Sequence, residues 1–432
     1  MKNRKALALI AILALVAAAC GGSDGGSDEA VVEVETTEAP ATTEAPTTTA
    51  APAPASDPLI LASLMPLSGD LASLGPGIAL GAALAVEQIN AAGGINGQPV
   101  QLIEGDSGCD GAVALTSLND VIAQGAQGVM GAACSGTSLA ILDTAIAAKV
   151  VMVSPSNTSP QFTKIDKKGF YARTAPADLL QGDVLASLLV EDGVQTVSII
   201  SRADSYGRGL AEATAAAFEA AGGTVKTIVY HATDASEFTS EVTAVGKGGA
   251  DAIVGILFPE TGCGVLQPAF EQGLLDTPWY MTDGVKDAGL ASLCGLGTAL
   301  DGFKGTAPGS AAGEAKDAFE AAYAGVSADG SPTFIFAPQA YDAVMLMAIS
   351  AAANGVTGPE IASGLVAASS GGEKCIGVAC IALAADGVDV DYVGASGEIE
   401  LNAVGDPTAA TYDIWTTEGD TNPVLKSVDF GS

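Results

Sequence analysis

The sequence is poor in basic residues and in histidine. Lysine and arginine together number 17 against 50 aspartate and glutamate residues, which gives a formal net charge of −33 at pH 7. A field of that sign repels nucleic acids and anionic lipid headgroups, so we expect neither as a partner. His231 is the single histidine and no Cys-x-x-Cys occurs, which argues against a zinc site. We expect no metal and no cofactor.

The same scarcity argues against an enzyme. A Ser-His-Asp hydrolase would have to use His231, and the one Gly-x-Ser-x-Gly sequence, Gly21–Gly25, lies where no strand-turn-helix pattern exists. Gly75, Gly77 and Gly81 do not have the Gly-x-Gly-x-x-Gly spacing of a dinucleotide loop. A binding protein is therefore expected rather than a catalyst.

Long apolar runs are also missing. Three basic residues among the first five precede the apolar run Ala6–Val16, which is shorter than the roughly 20 residues that span a bilayer, and Ala17–Cys20 follow. This pattern predicts an export signal peptide over residues 1–19. A cysteine after small residues is similar to a bacterial lipobox. We expect a lipid on Cys20 to hold the exported chain on the outer face of the cell membrane; a free Cys20 thiol is the alternative.

Residues 20–57 consist almost entirely of Gly, Ser, Thr, Ala, Pro and acidic residues, and TTEAP occurs at both 36–40 and 42–46. Such a segment buries too little apolar surface to offset its ordering entropy, so it is predicted to be an extended tether. The roughly 375 residues that remain exceed one typical core and predict two lobes.

Seven cysteines in an exported chain fit one lipid site and six residues available for disulfides. The pairs we expect, as a hypothesis on connectivity, are Cys109 with Cys134, Cys263 with Cys294, and Cys375 with Cys380.

From Leu59 onward, short apolar strands alternate with alanine-rich amphipathic helices, which predicts an α/β fold with parallel sheets. The pattern restarts after Pro176, so a second sheet is expected. Strands near 398–401 and 410–416 are predicted to complete the two sheets. Lobe 1 is expected over 58–177 and 308–405, and lobe 2 over 178–307 and 406–432.

Two polar loops follow neighbouring strands of the first predicted sheet. The strand that ends at Gly131 runs into Ala132–Ser138, in which Ser135 is the leading candidate to bind a carboxylate at a helix N-terminus. The next strand ends in Ser154–Pro160. Each loop alone is also explained by helix caps or turns that satisfy their own backbone. Together they predict one ligand site at the carboxyl ends of the strands.

These residues carry a resemblance to the leucine/isoleucine/valine-binding family of type I periplasmic binding proteins, which covers most of the span from Leu59 to Trp415. The segments that resemble the family are Pro66–Gly69, Ile89–Gly97, Asp106–Asp110, Gly131–Ser135, Ser154–Pro155 with Thr158, Arg173–Thr174, Asp204–Gly209, Gly397–Ile399 and Gly405–Asp406.

The resemblance implies two Rossmann-like lobes joined by three crossovers, a venus flytrap, with the first-lobe disulfide on Cys109 and Cys134. It also implies ligand contacts: Ser135 to a carboxylate, and Ser156 and Thr158 to both carboxylate and ammonium. From the second lobe it implies Tyr206 as a closing contact and Asp283 as the partner of an ammonium. The alternatives are a packed aromatic for Tyr206 and a helix cap for Asp283.

Leu74 and Leu257 stand where the family often has aromatic residues, and Phe258 could replace Leu257 through a small shift. The resemblance implies a monomeric extracytoplasmic solute-binding protein that delivers an amino acid, branched-chain or a similar small zwitterion, to the permease of an ABC uptake transporter. An amide, urea or aromatic-acid ligand, or a sensor role, is the alternative.

Overall fold

A computed structural model of the chain describes residues 57–430. The predicted signal peptide, Cys20 and the predicted tether up to residue 56 lie outside the described residues. Among the helices of the described part, none combines the length and apolar character needed to cross a lipid bilayer.

The first lobe is built on a five-stranded parallel sheet in the order β2-β1-β3-β4-β5. Its elements are β1 (Ile60–Met65), α1 (Gly75–Ala91), β2 (Gln101–Asp106), α2 (Gly111–Ala123), β3 (Gly128–Gly131), α3 (Ser135–Ala148), β4 (Val151–Ser154), α4 (Gln161–Lys164) and β5 (Tyr171–Arg173). All residues of β3, β4 and β5 are buried, as expected for parallel strands with helices on both faces. The predicted alternation of strands and helices is present from Leu59 onward, and β3 and β4 end at Gly131 and Ser154 as predicted.

The second lobe contains a seven-stranded sheet in the order β15-β14-β10-β9-β8-β6-β7. It begins with α5 (Asp178–Glu191), β6 (Thr196–Arg202), α6 (Ser205–Ala220), β7 (Thr224–His231), α7 (Thr239–Gly246), β8 (Ala252–Ile256), α8 (Pro259–Glu271), β9 (Trp279–Met281), α9 (Leu290–Leu293) and β10 (Lys304–Pro308). The strands β6 to β10 are parallel to their neighbours in this group. Neither α5 nor β10 was predicted.

The chain then returns to the first lobe. The returning elements are α10 (Glu314–Val326), α11 (Ala337–Asn354), α12 (Gly358–Gly364), β11 (Glu373–Ile376), α13 (Ala379–Ala385), β12 (Val390–Gly394) and β13 (Gly397–Glu398). Helix α11 packs on α1 and on the first sheet. The contact is so close that a Cβ on Gly81 of α1 would lie 2.2 Å from the carbonyl oxygen of Ala337. Glycine is therefore required at this helix crossing.

A third crossing takes the chain back to the second lobe, where β14 (Ala410–Thr416) pairs antiparallel with β10 and β15 (Val424–Phe430) pairs antiparallel with β14. The prediction that 410–416 completes a main sheet is confirmed by this pairing. Two lobes joined by three crossings are thus present, as the resemblance implied.

The prediction that a strand over 398–401 completes the first sheet is wrong. Only Gly397–Glu398 is a strand, and it pairs with β12 in a separate three-stranded sheet. The reason lies in Asp342 of α11, which is fully buried and accepts hydrogen bonds from the Tyr392 hydroxyl (2.7 Å) and the Ala395 (2.7 Å) and Ser396 (2.9 Å) backbone N–H groups. These bonds hold the β12–β13 turn on α11 and away from the edge of the first sheet.

All three expected disulfides are formed in the structure, and each joins two parts of the same lobe. Cys109–Cys134 joins the loops that follow β2 and β3, and Cys263–Cys294 joins α8 to the end of α9. Cys375–Cys380 closes the turn between β11 and α13. None of these bonds crosses from one lobe to the other, so the lobes can move as units about the crossings.

Candidate ligand-binding site

The carboxyl ends of β3 and β4 bring Ser135, Ser156 and Thr158 together, all three buried. The Ser135 hydroxyl accepts a hydrogen bond from the Ser159 backbone N–H (3.3 Å), which links the two polar loops directly. The Ser156 hydroxyl donates to the carbonyl of Ala133 (3.2 Å). The two loops therefore lie next to each other, as their positions after neighbouring strands predicted.

Helix α3 begins at Ser135. Cys134 is its N-cap residue, and no side chain caps the helix, so Ser135 does not act as the cap that the alternative reading assumed. The first turn of a helix has backbone N–H groups without intrahelical partners. This end of α3 therefore offers donors for an anionic group.

Arg173 sets the shape of the second polar loop. Its guanidinium is completely buried and donates to the carbonyl oxygens of Asn157 (3.1 Å) and Ser159 (3.0 Å) and to the Asp406 carboxylate (2.9 Å). Arg173 thus fixes the backbone on both sides of Thr158. The Thr158 hydroxyl is buried, forms no hydrogen bond of good geometry within the described residues and lies near the Asp178 carboxylate.

From the second lobe, Tyr206 and Asp283 lie at the same cleft, and both are 3% exposed. The Tyr206 hydroxyl donates to the Asp283 carboxylate (2.8 Å), and the Gln181 side-chain amide donates to the same oxygen (2.9 Å). The Asp283 carboxylate is thus oriented toward the cleft from two sides. The Tyr206 ring stacks on Phe258 at 5.3 Å between centroids, so Tyr206 is both packed and hydrogen-bonded.

Two carboxylates are held away from water here: Asp283, which lines the cleft, and Asp178, which lies outside its lining. Burial raises the pKa of Asp283 to about 6, against the lowering effect of its hydrogen bonds from Tyr206 and Gln181. Asp178 is completely buried, and its pKa lies well above the ordinary value because of burial and the nearby Asp283 charge. No described residue donates a hydrogen bond of good geometry to either oxygen of Asp178, and the nearby Thr158 hydroxyl lowers its pKa by less than burial raises it. A cationic group would relieve both carboxylates.

Sequence reasoning missed Asp178. It is the first residue of α5, a helix that was not predicted, and its backbone N–H donates to the Thr158 carbonyl (2.8 Å). An acidic residue at the start of an amphipathic stretch, directly after the first crossing, was the available signal. Because α5 was not predicted, no sequence argument located Asp178 beside Thr158.

Apolar side chains form the remaining wall of the cleft. Leu74 and Phe258 lie there as predicted, together with Leu71, Ile78 and Phe336. Leu257 does not line the cleft. Its side chain is fully buried toward Gly262 of α8, because successive side chains after β8 point to opposite sides, and Phe258 takes the pocket position instead.

The two lobes are closed over these residues. The Ser159 hydroxyl of the first lobe donates to the Ser205 carbonyl of the second (3.0 Å). Within residues 57–430 no cluster of three or more His, Cys, Asp or Glu side chains is arranged to hold a metal ion. Two α/β lobes closed on a cleft that is polar at one end and apolar at the other define a binding protein of the venus-flytrap class.

Comparison with known families agrees with this class. The periplasmic binding protein family model matches residues 58–374. The chain belongs to that family. Branched-chain amino-acid-binding proteins are among its relatives. Membership implies an extracytoplasmic location.

Relatives of known name come from several bacteria. An amino acid binding protein of Pseudomonas aeruginosa is 34% identical over 53% of this chain and 62% of its own length. A leucine-, isoleucine-, valine-, threonine- and alanine-binding protein of the same organism is 29% identical over 68% of this chain and 78% of its own. The first of these matches therefore spans less than two thirds of the relative.

Solved structures share the fold at low identity. A Thermotoga maritima leucine binding protein has a TM-score of 0.71 at 20% identity and covers 86% of this chain and 98% of its own. A Streptococcus pneumoniae branched-chain amino acid transporter substrate binding protein, solved with isoleucine, has a TM-score of 0.72 at 22% identity, covering 87% and 100%. A solute binding protein of R. palustris, solved with benzoate, has a TM-score of 0.71 at 18% identity, covering 87% and 98%.

The raised pKa of Asp283 predicts how stability depends on pH. Between its ordinary pKa of 3.8 and its folded value of about 6, the folded state retains a proton that the unfolded state has released. Stability is therefore lost as pH rises through this window, by on the order of 3 kcal/mol from this group. We expect Asp283→Asn to reduce the fall in the free energy of unfolding between pH 4 and pH 7, measured by urea denaturation.

The matched control is Asp276→Asn, which removes an exposed carboxylate of the same lobe and should leave the pH dependence of the unmutated protein in place. An equal fall in the Asp283→Asn variant and the unmutated protein would contradict the assignment.

Proposed function

We propose that this protein is the extracytoplasmic solute-binding component of an ABC uptake transporter and that its ligand is a free amino acid with an apolar side chain. The observation that carries the proposal is the combination, in one closed cleft, of donors for a carboxylate, the buried Asp283 carboxylate for an ammonium and an apolar wall. The Asp178 carboxylate is buried nearby, outside the cleft lining. The shared family supports the transport role.

The carboxylate of the ligand is proposed to bind the first lobe. The Ser135 hydroxyl and the N–H groups at the start of α3 would donate to it. Thr158, which lies outside the cleft lining, would join them on ligand binding. Ser156 lies between them at the same edge of the sheet. Hydrogen bonds to a charged acceptor are stronger than neutral ones, so this end would determine the orientation of the ligand.

The ammonium is proposed to lie between Asp283 of the second lobe and Asp178 at the first crossing. Both carboxylates are buried without a cationic partner among the described residues. A buried carboxylate with no counter-charge is costly, and an ammonium that forms charge-assisted hydrogen bonds offsets that cost. Tyr206 would close over the ligand while it orients Asp283.

The apolar wall would receive the ligand side chain. Leu71, Leu74, Ile78, Phe258 and Phe336 present hydrocarbon to the cleft, and no charged side chain other than Asp283 lines it within the described residues. Branched-chain amino acids fit this chemistry because burial of their methyl groups is favourable.

The remaining assignments complete the proposal. Lobe 1 comprises residues 58–177 and 308–405, and lobe 2 residues 178–307 and 406–432; a monomer of this kind would close on its ligand and present the closed form to the permease. A lipid on Cys20, with residues 20–57 as a tether, would keep it at the membrane. A sensor that presents the same closed form to a receptor is the alternative use of the fold.

An aromatic acid is the second candidate ligand, because solved structures with this fold carry benzoate and 4-hydroxybenzoate. Such a ligand has a carboxylate for Ser135 but no cation for Asp178 and Asp283. It would leave both carboxylates uncompensated in a closed cleft. An amide or urea has the same deficiency, so the amino acid is favoured.

A thermal-shift screen tests the ligand class. The full chain is heated with each proteinogenic amino acid and, in parallel, with urea, small amides, benzoate and 4-hydroxybenzoate. We expect a selective rise with leucine, isoleucine or valine, since a ligand at about 100 times its Kd adds about 2.7 kcal/mol of stability. A rise with aromatic acids, amides or urea and none with amino acids would contradict the proposal.

The role of Asp178 is tested by Asp178→Asn, which keeps the shape of the side chain and removes its charge. We expect leucine affinity to fall by about 2 to 5 kcal/mol, the usual loss when one member of a buried charge pair is removed. Isothermal titration measures it, with Asp183→Asn, an exposed residue of the same helix, as control. Unchanged affinity in Asp178→Asn would exclude Asp178 from the ammonium site.

A further inference from the structure

A charged cluster joins the two lobes beside the ligand cleft. Asp70 belongs to the first-lobe loop between β1 and α1, and its carboxylate accepts from the Thr261 backbone N–H (2.7 Å) and hydroxyl (2.9 Å) at the start of α8. The same carboxylate forms a salt bridge with Arg202 at the end of β6. Thr261 also accepts from the Arg202 guanidinium (3.0 Å). One first-lobe carboxylate thus binds three second-lobe donors.

Arg202 connects this cluster to the cleft. Its guanidinium lies 3.9 Å from the centre of the Phe258 ring, which lines the cleft. Phe258 in turn stacks on Tyr206, whose hydroxyl donates to Asp283. Arg202 is only 2% exposed, so its contacts are made out of water, where charge pairing and cation–π attraction are stronger.

The contacts of Arg202 fall into two groups, those within the second lobe and the one that reaches the first lobe. Asp204, which accepts from the Arg202 guanidinium at 2.9 Å, and Phe258 belong to the second lobe and would move with Arg202. Asp70 belongs to the first lobe, and it is brought to Arg202 only when the lobes close. An interaction made in one of two states shifts the equilibrium toward that state.

We propose that Asp70 is a closure latch: its side chain does not line the ligand cleft but raises ligand affinity by stabilising the closed arrangement through Arg202 and Thr261. The identity of the ligand rests on the proposed function, whereas the effect on closure does not. Asp70 is therefore a positioning residue, and its loss is expected to act on ligand release more than on ligand capture.

Closure itself is measured first, without ligand. Ser73 and Glu260 face each other across the lobes, with the Ser73 backbone N–H 2.9 Å from the Glu260 carboxylate. The full chain carrying Ser73→Cys and Glu260→Cys is treated with a short bismaleimide, and the linked 73–260 peptide is followed by mass spectrometry. We expect linking to be at least about tenfold slower when Asp70→Asn is added.

Asp120→Asn, an exposed residue of α2, is the matched control and should not slow linking. Thr261→Val, which removes one donor of the latch, should slow it by a smaller factor. If Asp70→Asn links as fast as the control, the latch is overturned.

Leucine kinetics supply the second readout, in the otherwise unmutated chain. Asp70→Asn should raise the dissociation rate by about tenfold or more and change the association rate little; an unchanged dissociation rate would overturn the latch. If leucine does not bind the unmutated protein, the proposed ligand class fails, and the linking rate alone decides on the latch.

Discussion

The site depends on one buried cation, Arg173. It donates to two carbonyls of the loop after β4, those of Asn157 and Ser159 on either side of Thr158, and pairs with Asp406 at the third crossing. Burial would raise the pKa of Asp406, but the Arg173 charge and several hydrogen bonds outweigh it, and the net pKa is lowered. A buried charge is stable only with such pairing. The interaction therefore ties the ligand loop, the end of β5 and the third crossing into one unit.

Two other buried charged groups are in the opposite situation, because they have no counter-charge. Asp178 and Asp283 are buried carboxylates that no described cation neutralises, and the pKa of each is raised by burial. The fold thus pairs the Arg173 charge with Asp406 at the third crossing. It leaves the Asp178 and Asp283 carboxylates without a counter-charge. Stability given up at the cleft is the expected cost of a site built for a charged ligand. The proposed latch is similar, because the Asp70 carboxylate pairs with Arg202 across the two closed lobes.

Much of the fold was predictable because it rests on local patterns. The strands from Ile60 to Ser154 and from Thr196 to Met281 are apolar runs between amphipathic helices, and parallel pairing follows from that alternation. The strands after Asn354 were harder to place. Their order depends on a tertiary contact, the buried Asp342 carboxylate, which holds Ser396 on α11 and which no local pattern reveals.

The candidate site divides in the same way. Ser135, Ser156, Tyr206 and Asp283 follow strand ends, so their meeting at one cleft could be predicted from topology and from the family resemblance. The sequence could not decide whether Leu257 or Phe258 faces the cleft, because a shift of one residue in register exchanges the two side chains. Asp178 was missed because it belongs to a crossing rather than a strand end. Residues that act at hinges are determined by the path of the whole chain.

The central claim is that the cleft recognises an ammonium as well as a carboxylate. Isothermal titration of the full chain with leucine and with 4-methylpentanoate, which is leucine without its amino group, tests it directly. The account predicts that leucine binds and that 4-methylpentanoate binds at least about tenfold more weakly, because Asp178 and Asp283 would remain buried without a cation. Equal binding of the two compounds, or tighter binding of 4-methylpentanoate, would contradict it.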